Sequence, residues 1–307
     1  METIQGISQF NSPEKTILTI GTFDGVHIGH RSILNRLIND AKISKSKSAV
    51  LTFFPHPRMV LQKDTDIKML NTMGEKKQVL ADLGLDYLIV HPFTKEFSRL
   101  SALEFVRDIL VGQLKVRKII IGYDHRFGRN RNANINDLTS FGNTFDFDVE
   151  EIPVQEIDQV SISSTKVRKA LLNGAVETAN NYLGYPFMLT GVIKKGKGLG
   201  RQIGFPTANL HIEEDYKLIP KNGVYVIKGF FNDQLVYGMM NIGFNPTVNG
   251  KEKSLEIHFF DFNEDLYERQ IQVMLIKRIR EEHKFESVEL LREQLEKDKE
   301  NSLRLIS

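Results

Sequence analysis

The chain has no cysteine, no tryptophan, no long apolar run and almost no net charge. Without cysteine there is no disulfide, no thiolate zinc site and no cysteine nucleophile, which suits a reducing compartment. With 41 Lys and Arg against 39 Asp and Glu, no overall field gathers nucleic acid, and the missing tryptophan weakens that reading further. Met1 to Ser12 is polar and no apolar run approaches the length of a membrane span. The expectation is a soluble, cytoplasmic protein with neither nucleic acid nor membrane as a partner. The rest is ordinary: 41% hydrophobic and 26% charged residues over 307 positions, enough for two domains with their own cores. Any phosphate site must therefore be built locally.

The most informative stretch runs from Ile17 to His30. Ile17 to Ile20 reads as a strand. The segment Gly21-Thr22-Phe23-Asp24-Gly25-Val26 is a turn, and Ile33, Leu34, Leu37, Ile38 and Ala41 recur at helical spacing, giving a helix over about Gly29 to Lys42. A helix N-terminus offers unpaired N–H groups and the positive end of a dipole. His27 and His30 beside it can donate to phosphate oxygens and to charge that develops there; a turn with two solvated histidines is the plainer alternative. Further strands are expected at Ala49 to Phe54, ending in Pro55-His56-Pro57, at Tyr87 to Val90, and at Lys118 to Ile121, ending in Gly122-Tyr123-Asp124. Helical patterns at Lys76 to Leu83 and Ala102 to Leu110 alternate with them, which argues for a parallel sheet with crossover helices. Ligands of such folds bind beyond the carboxyl ends of the strands, where Asp24, His56 and Asp124 fall.

Arg126 to Asn136 is loop-like, with Arg126, Arg129 and Arg131 making either a basic flap over phosphates or a plain solvated loop. In Ile162 to Arg168, the hydroxyls of Ser163, Ser164 and Thr165 cap a new helix whose buried stripe is Val167, Ala170 and Leu171, with Gly174 as its C-cap. Arg168 shares a face with Thr165, so hydroxyls, free N–H groups and a guanidinium converge as a second phosphate contact.

After Gly184-Tyr185-Pro186 the style changes to strands and short turns. Gly223 to Phe231 and Gln234 to Ile242 flank a hairpin turn at Asn232-Asp233; Leu255 to Phe262 and Ile271 to Ile279 are further strands. A small barrel or sandwich is expected, closed by a helix over Ser287 to Lys297 with Val288, Leu291 and Leu295 on one face. Gly191 to Lys197 nearly matches a Walker A loop, but Gly198 stands where Ser or Thr should be and Pro206 forbids the following helix. What remains is a basic Gly-rich loop. Gly196, Gly198 and Gly200 allow close approach to phosphate, and Lys197 and Arg201 add charge. Thr207 and Asn209, two apart on a strand, can offer oxygens to a hard cation such as Mg2+; a Gly-rich hairpin with two solvated polar residues is the alternative. Alternation sets Leu255, Ile257 and Phe259 on one face and Glu256, His258 and Phe260 on the other, where Glu256 is either a general base or a surface charge.

In their order these pieces resemble the bacterial bifunctional riboflavin kinase/FMN adenylyltransferases (FAD synthetases) over nearly the full length. The resemblance rests on Gly-Thr-Phe-Asp-Gly-Val-His-Ile-Gly-His and Ile-Ser-Ser-Thr-Lys-Val-Arg in the first half. In the second it rests on Gly-Arg-Gln-Ile-Gly-Phe-Pro-Thr-Ala-Asn, Met-Asn-Ile-Gly-Phe-Asn-Pro-Thr and Leu-Glu-Ile-His-Phe-Phe-Asp-Phe. It implies a Rossmann-like nucleotidyltransferase domain of the HxGH type over 1–184. A small antiparallel β-barrel riboflavin kinase domain with a C-terminal helix would follow over 185–307. It implies phosphorylation of riboflavin by ATP to FMN, then adenylylation of FMN by a second ATP to FAD and pyrophosphate, both with Mg2+. Glu256 would be the kinase base, Thr207 and Asn209 would organise Mg2+ and phosphates, and the loop from Gly196 to Arg201 would fold over the nucleotide. In the other half His27 and His30 would stabilise the transition state, while Thr22, Phe23, Asp24, Gly25, Ser163, Ser164, Thr165 and Arg168 would hold the triphosphate. Phe54, His56, Pro57 and Asp124 would line the flavin site of the first half, and Arg280 and Phe285 that of the second. A monomer or weak homo-oligomer is expected. Two positions depart from the family pattern: His125, where a bulky apolar residue is expected, and Glu268, where glycine is usual.

Overall fold

The computed structural model describes residues 1–61, 67–123, 125–153, 162–196, 200, 203–247 and 250–306. The chain forms two compact units. One comprises Met1–Met69 with Met73–Ser163, and the other Leu70–Thr72 with Ser164–Ser307.

The first unit is built on six parallel strands, β1 Glu2–Gln5, β2 Thr16–Ile20, β3 Lys47–Phe53, β4 Tyr87–His91, β5 Val116–Gly122 and β6 Asp148–Ile152. Their order is β1-β4-β3-β2-β5-β6. Every residue of β2 is buried, as a central strand covered on both faces must be. The first helix, α1 Ile28–Ile43, buries the expected Ile33, Leu34, Leu37, Ile38 and Ala41. Pro57 opens a short α2, Pro57–Leu61, where its missing N–H costs nothing. α3 follows at Met73–Asp82. The helix expected at Ala102 to Leu110 starts as α4, Ala102–Glu104, with a full capping box from Ser101 and Glu104. It then continues as a π-helix, Phe105–Gln113. α5 spans Ile135–Phe145. Before it, the arginine loop closes on itself through a bridge between Phe127 and Ala133, both buried, which leaves Arg126, Arg129 and Arg131 exposed.

In the second unit, α6 Ser164–Leu172 buries Val167, Ala170 and Leu171 as expected, and Gly174 follows at φ 80°. α7, Val176–Leu183, ends at left-handed Gly184. Asn180 ties α7 to the strands beside it, accepting from the Phe187 N–H at 2.7 Å and donating to the Leu275 carbonyl at 2.9 Å. The remaining strands are β7 Met188–Lys194, β8 Ala208–His211, β9 Gly223–Phe231, β10 Gln234–Thr247, β11 Gly250–Phe259 and β12 Gln270–Arg280. They close in the order β10-β11-β8-β7-β12-β9, so the all-β unit is a barrel and not a sandwich. Its pairs are all antiparallel. The hairpin turn falls at Asn232-Asp233, both left-handed (φ 47° and 64°), residues that tolerate this region well. Tyr225, Met240, Ile242, Ile257 and Leu275 fill the barrel without exposure.

α8, Val288–Ile306, closes the chain. The expected apolar face is only partly right. Leu295 packs with Ile306 against Phe205, Met239 and Phe260, but Val288 is 55% exposed. The helix is anchored instead by buried polar groups. Asp298, 1% exposed, receives Arg280 Nε at 2.9 Å and Nη2 at 2.7 Å, together with Gln294 Nε2 at 2.9 Å.

Candidate functional site

Two sets of predicted residues are drawn together, one in each unit. In the first, the chain leaves β2 at Gly21 and must reverse into α1 within six residues. It does so through three left-handed positions, Phe23 (φ 44°), Gly25 (φ 82°) and Val26 (φ 37°). Phe23 and the β-branched Val26 carry a cost there, on the order of 1–3 kcal/mol each. The strain delivers His27 to the N-cap of α1, where its Nδ1 accepts the His30 N–H at 3.4 Å. That bond fixes the tautomer. A lone pair on Nδ1 puts the proton on Nε2, which is then a donor.

The His27 and His30 rings stack, with centroids 3.7 Å apart, and the Phe23 ring meets His30 edge-on at 5.1 Å. Burial lowers the His27 pKa to about 4. His30 is held well below the ordinary histidine value, first by burial, then by the repulsion that a protonated His27 would exert, and by Lys76. Both imidazoles are therefore neutral at pH 7. The Nδ1 of His30 is shielded from solvent and has no hydrogen-bond partner among the described residues. Asp24 and Lys76 are buried with them, at 2% and 3% exposure. Lys76 Nζ, from α3, donates to the Thr22 carbonyl at 2.7 Å. Burial lowers its pKa, and the Asp24 carboxylate opposes that shift.

Phe54 and His56 leave the carboxyl end of β3, the Phe54 N–H donating to the His91 carbonyl at 3.1 Å and His56 Nδ1 accepting the Arg58 N–H at 3.1 Å. Asp124 lies outside the described residues; His125, beside it, stacks with Phe127 at 6.2 Å. Ser163 ends the first unit, while Ser164, Thr165 and Arg168 form the opening of α6 in the second.

The second set is organised by strand register. Asn209 on β8 stands directly opposite Glu256 on β11, and Glu256 stands directly opposite Asn241 on β10. Opposed residues project on one face, so a carboxylate is flanked by two carboxamides on the outside of the barrel, behind inward-facing Ile257. His258, two residues on and on the same face, pairs its Nδ1 with the Pro206 carbonyl at 2.9 Å and so fixes the turn that leads into Thr207. The glycines of the loop press on this row. A Cβ on Gly196 would lie 2.8 Å from Asn209 Cγ, and one on Gly200 would lie 3.3 Å from Thr207 Oγ1. Lys197, Gly198 and Arg201 lie outside the described residues. Arg280 and Phe285 do meet, guanidinium to ring centroid 5.9 Å, with Arg280 already engaged by Asp298. Glu268, where glycine is usual, is left-handed (φ 59°), the conformation in which only glycine is strain-free, and its carboxylate pairs with Lys194 at 3.2 Å.

Sequence reasoning missed Lys76, Asn241 and the role of His258. Asn241 was within reach, since it sits in the Met-Asn-Ile-Gly segment and alternates with the buried Met240 and Ile242. Lys76 carried no signal, because nothing local announces that a helical lysine is buried.

An α/β unit with paired neutral histidines at a helix N-terminus, joined to a barrel with an amide-flanked carboxylate, defines a protein with one nucleotidyl-transfer and one phosphoryl-transfer module. The FAD synthetase family model matches residues 9–166 and the riboflavin kinase model residues 183–306. The chain belongs to the bifunctional riboflavin kinase/FMN adenylyltransferase family. It is 38% identical over 304 residues to the protein of that name from Buchnera aphidicola subsp. Schizaphis graminum, covering 97% of this chain and 96% of the relative. The protein of the same name from Escherichia coli K12 is 37% identical, with the same coverage of both chains. A crystal structure described as a macrolide-efflux protein from Streptococcus pneumoniae matches with a TM-score of 0.89 at 31% identity, over 98% of both chains. No helix among the described residues is long and apolar enough to cross a membrane.

Proposed function

We propose that the second unit phosphorylates riboflavin with ATP to give FMN and ADP, and that the first joins FMN to AMP from a second ATP, giving FAD and pyrophosphate. The observation that carries this reading is the register that sets Asn209 opposite Glu256, because a positioned base beside phosphate-directed amides is what a hydroxyl nucleophile needs. Glu256 accepts the proton of the riboflavin 5′-hydroxyl as its oxygen attacks the γ-phosphorus and the bond to ADP breaks. Thr207 and Asn209 offer neutral oxygens of the kind Mg2+ takes, and with no cluster of three or more His, Cys, Asp or Glu among the described residues, the ion would be shared with ATP oxygens. When bound, it neutralises phosphate charge. The loop from Gly196 to Arg201 covers the nucleotide.

In the first unit the nucleophile is the FMN phosphate, already an anion at pH 7, so no base is required. His27 Nε2–H and the α1 N-terminus stabilise charge at the α-phosphorus as pyrophosphate leaves. Thr22, Phe23, Asp24 and Gly25 shape the ATP site and Phe54, His56, Pro57 and Asp124 line the flavin; Ser163, Ser164, Thr165 and Arg168 are phosphate-contact candidates by the family resemblance. Arg280 and Phe285 stand beside the flavin of the kinase. The catalytic halves divide at about 184/185, and the protein works in the cytoplasm as a monomer or weak homo-oligomer.

The test is chromatography of flavins after incubation with riboflavin, ATP and Mg2+. FMN appearing first and FAD later is expected. Riboflavin left unchanged, with FMN also unconverted in a parallel tube, refutes the reading.

A further inference from the structure

We propose that Lys76 is a positioning residue of the nucleotidyl-transfer site, holding the strained turn that carries His27 and His30 and placing an ammonium beside them. The inference rests on the adenylylation reading above. Three observations carry it.

First, a lysine at 3% exposure is expensive to bury and persists only where its ammonium is paired and bonded. Here it donates to the Thr22 carbonyl at 2.7 Å and faces the buried Asp24. Second, Thr22 opens the turn that contains left-handed Phe23 and Val26, and its carbonyl also takes Thr52 Oγ1 at 3.4 Å from β3. Two elements distant in sequence, α3 and β3, thus grip one carbonyl at the start of the segment that has most reason to relax. Third, the charge acts on the histidines. The ionisable groups that act on His30 are His27 of the turn and Lys76 of α3, and Asp24 of the turn acts in turn on Lys76. Of these, His27 and Lys76 push the His30 pKa down, in the same direction as burial. The Lys76 ammonium opposes protonation of His30 while its bond to the Thr22 carbonyl holds the turn that carries both rings.

The experiment uses the full chain and its Lys76→Met and Lys76→Arg variants. Methionine keeps the buried stem and removes the charge and the donor; arginine keeps both. FAD formation from FMN and ATP and FMN formation from riboflavin are measured on the same preparations. The histidines are titrated by 15N NMR. Lys76→Met is expected to slow adenylylation at least 30-fold, mainly in kcat, and to leave riboflavin phosphorylation within twofold. It should also move the His30 titration to higher pH, with Lys76→Arg restoring the titration. A purely structural lysine would not move His30. Adenylylation at the wild-type rate in Lys76→Met, or an unmoved His30, overturns the proposal. Should Lys76→Met not fold, the wild-type titration decides: His30 protonating at the ordinary histidine value rules the arrangement out. Absence of FAD formation in the wild-type chain would instead refute the adenylylation reading, leaving the titration to judge Lys76 separately.

Discussion

Gly196 offers the sharpest test of the kinase site, because it has no side chain of its own and its Cα lies against the Asn209 carboxamide. A methyl group there would overlap Asn209 Nδ2 outright and lie 2.8 Å from Cγ and 3.1 Å from Oδ1 of the same carboxamide. Ordinary contact needs about 3.4 Å or more, so in Gly196→Ala the amide or the loop must shift by roughly 1 Å. A displacement of that size at a positioning group costs about 100-fold in rate, or about 2.7 kcal/mol of transition-state stabilisation. The register of β8 against β11 should survive, since Asn209 shifts only its side chain. The assay is the steady-state rate of FMN formation, with FAD formation from FMN as the control on the other unit. A double-mutant cycle with Asn209→Ala isolates the route. If Gly196 acts through Asn209, the double variant is no slower than Asn209→Ala alone, giving a coupling close to the whole effect of Gly196→Ala. A wild-type rate in Gly196→Ala, or effects that simply add, refutes the reasoning.

Glu256→Gln keeps the strand and removes the base; riboflavin phosphorylation should fall by about 10²–10⁴-fold while FMN adenylylation persists. His30→Ala should do the reverse, and loss of both reactions from one substitution in a folded protein would defeat the two-site reading. Asp298→Ala removes the buried partner of a half-buried Arg280, which keeps its bond to the Glu281 carbonyl, and should cost about 1–3 kcal/mol, read as an earlier urea midpoint for loss of kinase activity. His27 stays unprotonated down to about 4, whereas the unfolded chain takes up that proton near 6.5, so its contribution is complete above pH 6.5 and is lost as the pH falls towards 4. That loss amounts to roughly 3 kcal/mol. In His27→Asn, which keeps an N-cap, stability should vary less over this window in urea denaturation followed by circular dichroism.

What the sequence disclosed follows from where its pattern is strong. The interior strands β2 to β5 are dense in apolar residues and were legible. β1 and β6, at the two edges of the sheet, are short and half polar, and were not. The π-helix escaped because hydrogen-bond offset leaves no mark on composition. Val288 misled because α8 is fastened by Arg280 and Asp298 rather than by its first apolar turn. At the sites, alternation alone put Glu256 on the outer face. Its neighbours Asn209 and Asn241 are 47 and 15 residues away along the chain, and only register unites them.

The two sites meet different proton requirements with different backbone devices. A hydroxyl nucleophile must lose a proton during attack, and in the proposed reaction the barrel would answer with the Glu256 carboxylate, set by strand register between Asn209 and Asn241. A phosphate nucleophile brings its charge with it, so the α/β unit needs only donors that stay donors. There the N-cap bond commits His27 Nδ1 as an acceptor, burial keeps the imidazoles neutral, and the proton is left on Nε2, the donor that the proposed transfer would use. A protonated pair stacked at 3.7 Å would repel itself and unmake the cap. Neutrality is thus a condition for the geometry as well as for the chemistry, and the proposed role of Lys76 acts on both, through the Thr22 carbonyl it holds and through the His30 pKa it lowers.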